Sequence, residues 1–312
     1  MSLVTLRSPL GAGVERVRPP VGVRREGAHV WSTCCVSSAG SHDVLMDDDS
    51  FAALAARVPG WTGRARVIDQ LGGFTNRNLL VEVDQERFVV RVPGERTALL
   101  EIRRSDERDA AERAAALGFG PEVVAFLVPE GYLVYRYLDA EPVSETDLMQ
   151  PELLEQAAAV LRQFHALAPM NGDFDAFRVP FLHREAALAL GANIPSEFDR
   201  AAAVSARIEA AFDAAPERRV PCHNDLQTPN FLRDASGKLW LIDWEHAGNN
   251  DRYFDLGNLA VNNGFDEAAE ERLVVAYFGG VTSPRMARLR LMKILSDFQE
   301  AMWGVVQNAL YD

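Results

Sequence analysis

Three polar residues in one short segment have the types and spacing of a proton acceptor beside a metal ligand. His223 is followed two residues later by Asp225 and five residues after that by Asn230. A carboxylate in such a loop is able to accept the proton of an attacking hydroxyl, and an amide oxygen is able to bind a metal ion. A second carboxylate, Asp243, follows the apolar run Leu239-Trp240-Leu241-Ile242. These four polar residues are the candidate chemical centre of the chain.

The segment between Asn230 and Asp243 predicts a β-hairpin. Phe231-Leu232 and Leu239–Ile242 are apolar runs, and the polar segment 234–237 that joins them ends in Gly, as a short hairpin loop does. Pairing the two runs brings Asn230 and Asp243 to the same end of the hairpin. Mg²⁺ takes one or two protein oxygens and fills the rest of its shell with water and phosphate oxygens. Asn230 and Asp243 are therefore the predicted metal ligands, and Asp225 is left to face an acceptor.

The same spacing occurs in the catalytic loop of kinases, where the Asp receives the acceptor's hydroxyl proton and the Asn holds a metal ion. It predicts a phosphoryl-transfer site with Asp225 and His223 as catalytic residues. A structural interpretation is the alternative, in which Asp225 caps a turn and Asp243 ends a buried strand. Three polar residue types in register, together with Ile242-Asp243-Trp244, favour the kinase-type site.

Composition limits the classes of protein to consider. The chain has 312 residues, of which 48% are hydrophobic, and a net charge of −13. This length is typical of about two domains or lobes. No run of about 18 apolar residues exists, so no membrane span is predicted. The acidic balance argues against a nucleic-acid partner and is compatible with a cationic small substrate.

The cysteines and the N-terminal segment carry no predicted chemistry. Cys34, Cys35 and Cys222 have neither metal-type spacing nor a plausible disulfide framework, which fits a reducing cytoplasm. Residues 1–45 have scattered Gly and no helical or strand periodicity, so we expect a disordered extension. An organelle transit peptide is the alternative, although Pro19-Pro20 would interrupt its amphipathic helix.

Strand-like runs at 67–71, 78–83 and 88–92 predict a small β lobe that binds a nucleotide. The turn between the first two offers backbone amides and small polar side chains for phosphate oxygens, and its candidate residues are Gly72, Gly73, Thr75 and Asn76. A Gly-Gly hairpin turn without a ligand explains this turn equally well. Arg91 is the one cation in an apolar strand and needs a phosphate or carboxylate partner. Glu107, in a helix predicted from Ser105 to Gly118, is the carboxylate candidate, although a solvated helix face explains its spacing equally well.

Two further runs, Glu122–Phe126 and Tyr132–Leu138, complete a five-stranded antiparallel sheet. We expect adenine to pack against the linker at Tyr137 and Leu138. Beyond it, apolar residues recur at helical spacing from Pro151 onward. The predicted fold is α+β, protein-kinase-like and bilobal, with an N-terminal lobe at 46–139 and a larger, mainly helical lobe at 140–312.

At this point the chain resembles the choline/ethanolamine kinase family, within the larger group that includes aminoglycoside phosphotransferases and protein kinases. The resemblance covers roughly residues 60 to 310. It implies ATP and Mg²⁺ as cofactors, pairs Arg91 with Glu107, and makes Asp255 a support of the catalytic loop. The similar segments are Leu71–Asn78, Val89–Val92, Ile102–Glu107, His223–Gln227 and Ile242–Asn258.

The resemblance also implies the acceptor side, where this chain departs from the family. Trp303 matches one tryptophan of an aromatic cage, whereas Glu300 stands where eukaryotic members have another tryptophan. His246 replaces a tyrosine, and Asn262 replaces an acidic residue. Gln227, Glu300 and Trp303 are the predicted substrate-binding residues, although a packed core residue is the alternative for Trp303.

The resulting expectation is ATP-dependent phosphorylation of the hydroxyl of choline, ethanolamine or a similar amino alcohol. Phosphorylation of an aminoglycoside or thiamine by the same fold is one alternative. A nucleotide-binding pseudokinase is another, against which the intact Asp225, Asn230 and Asp243 argue. The sequence leaves the oligomeric state open.

Overall fold

The computed structural model describes Met46 and residues 48–71, 76–94 and 102–311. The predictions for residues 1–45 and for Gly72, Gly73 and Thr75 concern residues outside these ranges.

Strands predominate in the first part of the described chain, and helices dominate the second. The strands are β1 Arg66–Leu71, β2 Asn76–Val83, β3 Glu86–Pro93, β4 Val123–Leu127, β5 Tyr132–Arg136, β6 Ala140–Pro142, β7 Val220–Cys222, β8 Phe231–Asp234, β9 Leu239–Leu241 and β10 Gly248–Asn250. The helices are α1 Asp48–Ala55, α2 Arg104–Ala116, α3 Glu145–Leu148, α4 Pro151–His165, α5 Val179–Ala189, α6 Phe198–Asp213, α7 Arg252–Asn262, α8 Glu267–Phe278 and α9 Ser283–Tyr311.

The first five strands form an antiparallel sheet in the order β1-β2-β3-β5-β4, which confirms the predicted five-stranded sheet. Alternate residues of a strand face opposite sides of a sheet. Phe88 and Val90 pack on the side of α1, whereas Val89 packs with α2 on the other. Arg91, two residues after Val89, therefore points to the side of α2. The sheet thus places the Arg91 side chain in the interior, between the sheet and the helical part.

Helix α2 lies close to the sheet because its inward residues are small. Ala110, Ala111 and Ala114 are buried in the same core as Leu133 and Tyr135 of the sheet. Gly120 continues this close approach, since a Cβ placed there would lie 2.8 Å from the Cβ of Ala114. The helix is thereby held at a depth where its acidic first turn reaches Arg91.

The predicted hairpin is confirmed, and it belongs to a small sheet that the sequence did not predict. Strands β8 and β9 pair with Phe231 opposite Leu241 and Leu232 opposite Trp240. Strand β6, directly after the linker, pairs with β8. Through this pairing, β6 connects the linker after the first sheet to the hairpin that carries the predicted metal ligands.

The hydrophobic core of the helical part packs against the segment that follows Asp243. Trp244, Phe164 and Phe254 are among its largest fully buried side chains. The ring centroids of Phe164 and Trp244 lie 4.4 Å apart, so helix α4 packs directly against the segment that follows Asp243. In the described part of the chain no helix is long and apolar enough to cross a bilayer.

Helices α7 and α9 cross at Gly257, where the backbones touch. A Cβ at Gly257 would lie 2.8 Å from the backbone nitrogen of Lys293 and 2.9 Å from the carbonyl carbon of Met292. Backbone atoms are unable to yield as a flexible side chain does. Helix α7 also carries Asp255, whose carboxylate accepts hydrogen bonds from the backbone of His223 and Asn224.

We predict that Gly257→Ala lowers the free energy of unfolding by about 1–3 kcal/mol, because the added methyl overpacks this crossing. Gly304→Ala is the matched control, since a Cβ at Gly304 in α9 meets nothing within 4 Å. It should raise stability by about 0.5–1 kcal/mol, because Ala favours the helix over Gly. Urea denaturation measures both. Equal effects of the two substitutions would contradict the close crossing.

Candidate active site

The catalytic loop is anchored by the fully buried carboxylate of Asp255 on α7. The backbone N–H groups of His223 and Asn224 donate to its two oxygens at 2.9 and 2.7 Å. His165 Nε2 lies 2.9 Å from Oδ2, and its Nδ1 lies 2.7 Å from the Tyr277 hydroxyl. Burial alone would raise the pKa of Asp255, but the hydrogen bonds from His165 and from the His223 backbone lower it overall. Asp255 therefore supports the loop, as the resemblance implied, and His165 is a packed histidine.

Two asparagines fix the loop beyond Asp225. The backbone N–H of Leu226 donates to Asn258 Oδ1, and Asn263 Nδ2 donates to the Leu226 carbonyl at 2.8 Å. Both asparagines are fully buried. Because the backbone is held on both sides of Asp225, the position of its carboxylate is set by α7 rather than by solvent.

His223 positions the loop with both of its ring nitrogens. Its Nε2 contacts the Ile242 carbonyl at 2.9 Å, and the Asp225 backbone N–H donates to its Nδ1 at 3.3 Å. The ring is fully buried, with its centroid 4.5 Å from that of Trp244. His223 thus links the catalytic loop to the segment that carries Asp243. Both ring nitrogens are therefore engaged within the protein, and the predicted catalytic roles of His223 and Asp225 stay predictions.

The half-buried carboxylate of Asp225 is oriented by two amides. Gln227 Nε2 donates to Oδ1 at 2.7 Å, and Asn230 Nδ2 donates to Oδ2 at 3.2 Å. Asn230 Nδ2 also donates to the Asp225 carbonyl at 2.8 Å. Since the nitrogen of Asn230 is used in this way, its Oδ1 is the atom suited to a cation.

The hairpin brings the two predicted metal ligands together, as expected from the sequence. The backbone N–H of Ile242 donates to the Asn230 carbonyl at 3.0 Å, so Asp243 follows directly after the residue bonded to Asn230. Asp243 has a φ of 67°, in the left-handed region that non-glycine residues rarely adopt. Such a backbone turns its carboxylate out of the strand direction, and strained residues of this kind cluster at functional sites.

Arg91 lies at the centre of a buried charge cluster that joins three parts of the fold. Its guanidinium contacts Glu107 at 2.9 Å, Asp243 at 2.8 Å and Glu245 at 2.9 Å. Burial lowers the pKa of the Arg91 guanidinium, but the three carboxylates outweigh this and hold it well above its ordinary value. The pairing of Arg91 with Glu107, predicted for the strand and the helix, is present in the structure.

Arg104 and Asn76 complete this charge cluster. Arg104 contacts Glu107 at 2.6 Å and Glu245 at 3.3 Å, and donates to Asn76 Oδ1 at 2.8 Å. Asn76 Nδ2 donates to Glu245 at 2.7 Å. Burial raises the pKa of Glu107 more than the two arginines lower it. Two guanidiniums face three carboxylates, a balance that an added cation would improve.

Sequence reasoning missed Glu245 and Arg104. Glu245 stands two residues after Asp243. From this spacing one could have predicted that both carboxylates contact the same cation. Asn76, predicted to bind the nucleotide, lies inside the cluster and is buried. Its position at the start of β2 places it next to residues 72–75, so its predicted contact with phosphate stays a prediction.

The predicted substrate-binding residues Glu300 and Trp303 lie on α9, which packs against α5 and α7. Burial, and after it the neighbouring Asp225 carboxylate, raise the pKa of Glu300 to about 8, while the Asn262 amide opposes the shift. The ring centroid of Trp303, one turn further along α9, lies 5.6 Å from that of His183. The structure thus brings Glu300 near Asp225 and places Trp303 on the same stretch of helix.

The predicted hinge residues Tyr137 and Leu138 are half-buried and border a cavity of about 510 Å³. Its other walls come from the end of α2, the start of β4 and the hairpin residues Lys238 and Trp240. The wall residues therefore differ from those of the charge cluster, and the predicted contact with adenine stays a prediction.

Comparisons with known proteins agree with this geometry. Protein LicA of Haemophilus influenzae is 29% identical over 212 residues, which is 66% of this chain and 61% of LicA. Ethanolamine kinase 2 of Mus musculus is 27% identical over 267 residues, which is 76% of this chain and 68% of that protein. A choline/ethanolamine kinase family protein from Mesorhizobium loti has a similar structure, with a TM-score of 0.68 and 29% identity over 85% of this chain and 87% of that chain.

These similarities confirm the predicted resemblance and the predicted kinase-like fold. The match to LicA spans less than two thirds of that protein's length. Residues 68–292, well over half of this chain, match the family described as the phosphotransferase enzyme family. The chain therefore belongs to the phosphotransferase enzyme family.

Proposed function

We propose that this protein transfers the γ-phosphate of ATP to the hydroxyl of choline, ethanolamine or a similar amino alcohol. The observation that carries the proposal is the position of the Asp225 carboxylate. Its loop is held by hydrogen bonds to residues of α7, Asn230 donates to its Oδ2, and Glu300 is near enough for the two carboxyl groups to influence each other. A proton acceptor close to a candidate cation site and to a second carboxyl is suited to a phosphate donor and an ammonium-bearing acceptor.

Asp225 would receive the proton of the acceptor hydroxyl. Hydrogen bonds from Gln227 and Asn230 orient its carboxylate before any substrate binds. Positioning and charge stabilisation supply most of the rate in phosphoryl transfer, so a pre-oriented carboxylate is the main contribution expected of this loop.

Asn230 and Asp243 fit a magnesium ion, since an amide oxygen and a carboxylate lie at one end of the hairpin and the adjoining cluster has an excess of carboxylates. When bound with ATP, Mg²⁺ neutralises charge on the phosphates during transfer. Glu107 holds the Nε edge of Arg91 while its other end reaches Asp243. A phosphate beside Asp243 would therefore meet that end of the guanidinium.

The acceptor is inferred from chemistry and from the names of the relatives. Similar proteins are named choline or ethanolamine kinases, and their acceptors are cationic amino alcohols. In this chain the half-buried carboxyl of Glu300 and the ring of Trp303 are the groups suited to such a cation. An aminoglycoside is the second candidate acceptor, because one carboxyl and few aromatic rings also suit an amino sugar.

We predict that Asp225→Asn lowers kcat by about 100- to 10,000-fold, because the amide cannot accept the hydroxyl proton. The affinity for ATP should stay unchanged in this variant. Asp243→Ala should instead remove the part of the ATP affinity that depends on Mg²⁺. Release of ADP and calorimetric titration of ATP with and without Mg²⁺ measure these effects. Asp199→Asn, an exposed carboxylate in the first turn of α6, is the matched control. Full activity of purified Asp225→Asn would rule out the proposed role.

We predict that Arg91→Ala lowers the free energy of unfolding by about 3–5 kcal/mol, because it leaves buried carboxylates without their cation. Arg66→Ala is the control on the same sheet. Arg66 contacts Glu82 at 2.7 Å with 65% of its side chain exposed, against 7% for Arg91. An exposed pair contributes about 0–1 kcal/mol. Similar losses for both variants in urea denaturation would contradict the central place of Arg91.

A further inference from the structure

The catalytic loop is also linked to α9, through a side chain of α7. The backbone N–H of Leu226 donates to Asn258 Oδ1, and Asn258 Nδ2 donates to Ser296 Oγ at 2.9 Å. We propose that Ser296 is a positioning residue for the proposed proton acceptor, Asp225, and that it acts through the Asn258 amide. The kinetic part of this inference rests on the proposed function.

The peptide group between Asp225 and Leu226 is the part of the loop that this link controls. Its N–H donates to Asn258 Oδ1, and its carbonyl accepts from Asn230 Nδ2 at 2.8 Å. The same Asn230 nitrogen lies 3.2 Å from Asp225 Oδ2. A rotation of this peptide group would therefore displace the proposed proton acceptor and the proposed metal ligand together. Asp255, by contrast, holds the loop on the other side of Asp225.

Burial makes each bond of this link difficult to replace. Leu226, Asn258 and Ser296 are all fully buried. A buried polar group that loses its partner has no water to replace it, and therefore keeps the cost of its lost hydration. The Asn258 amide thus needs an acceptor for its nitrogen while its oxygen faces the loop.

The two ends of the amide have different tasks. Its oxygen only accepts hydrogen bonds, and its nitrogen only donates them. The Leu226 N–H therefore selects the oxygen of Asn258, and the nitrogen is turned towards α9, where the Ser296 hydroxyl accepts its hydrogen bond. Without this hydroxyl the amide would gain by rotating towards another acceptor. Such a rotation would weaken the hydrogen bond from Leu226.

The alternative is a serine that only fills the space between two helices. Helices α7 and α9 touch at Gly257, and Ser296 lies one turn beyond Met292, whose backbone faces that glycine. Ser296 also lies four residues before Glu300, so both project from the same side of α9. A serine that positions the loop fixes Asp225 relative to the helix that carries this proposed acceptor-binding residue, so its loss affects turnover. A serine that only fills space affects stability alone.

The first test is Ser296→Ala in the full chain, which removes one oxygen atom from the link. We expect kcat with Mg²⁺-ATP and ethanolamine to fall roughly 10- to 100-fold, because small misplacements of reacting groups slow a reaction strongly. KM for both substrates should stay within about twofold, since the lost interaction acts on turnover rather than on binding. Ser205→Ala is the matched control. It removes a buried hydroxyl from α6 and should keep the kcat of the parent protein.

A double-mutant cycle tests the route through Asn258. The variant Asn258→Ala and the double variant with Ser296→Ala should have the same kcat within about twofold, because the serine then has no amide to act through. Losses that multiply in the double variant would overturn the inference.

Hydrogen exchange of the Leu226 amide, followed by NMR, tests the link without turnover. We expect this amide to exchange roughly tenfold faster in Ser296→Ala, while the amides of the central strand β3 exchange as in the parent. The variant is verified as folded by its thermal unfolding midpoint. Unchanged exchange at Leu226, an unchanged kcat, a loss confined to KM, or an equal loss of kcat in Ser205→Ala would each overturn the inference.

The failure of the proposed function has a different signature. Absence of turnover with every amino alcohol in the parent protein, while ATP still binds, would overturn the proposed function. The exchange rate of the Leu226 amide in Ser296→Ala would then decide by itself whether Ser296 positions the loop.

Discussion

The site depends on one buried cation. Arg91 comes from a strand of the first sheet, and its three carboxylate partners come from helix α2 and from the segment after the hairpin. A guanidinium is stable at 7% exposure only because these charges compensate its lost hydration. The cluster therefore couples the position of α2 to that of Asp243, and a displacement of either part would leave charge uncompensated.

A second constraint acts from the helical side. Asp255, Asn258 and Asn263 on and just after α7 take up the backbone polar groups of the catalytic loop, so that the loop is as rigid as the helix. Gly257 lets α7 approach α9, the helix that carries Glu300. Asp225, the proposed proton acceptor, and the proposed metal ligands Asn230 and Asp243 are thus held by packed elements although they lie outside the long helices, and Glu300 lies within α9. Pre-organisation of this kind is what phosphoryl transfer requires of a protein.

Local sequence patterns were sufficient for part of this arrangement. Two apolar runs around a Gly-ending turn predicted the hairpin that joins Asn230 to Asp243. Both the strand pattern and the turn residues are visible in one short stretch of sequence. Arg91 predicted a phosphate or carboxylate partner, because a lone cation in a buried strand needs a compensating negative charge. The full set of residues around Arg91 could not be predicted from local patterns, since Glu245, Arg104 and Asn76 come together only in the tertiary fold. The pairing of β6 with β8 depends in the same way on a contact between distant segments.

The catalytic role predicted for His223 stays a prediction. The sequence predicted a catalytic residue from spacing alone, whereas the structure commits both ring nitrogens to neighbours within the protein. Contacts with nucleotide at Gly72, Gly73 and Thr75 stay predictions, because these residues lie outside the described ranges. The contact of Tyr137 and Leu138 with adenine also stays a prediction, although the structure describes both residues.

The most direct test of the account is to identify the phosphorylated product. Phosphorus NMR of the purified protein with Mg²⁺-ATP and ethanolamine follows the γ-phosphate itself. We expect the γ-phosphate signal to be lost in step with the appearance of ADP and of a phosphate monoester of the amino alcohol. Formation of ADP with inorganic phosphate alone, or an unchanged ATP spectrum with every amino alcohol tried, would contradict it.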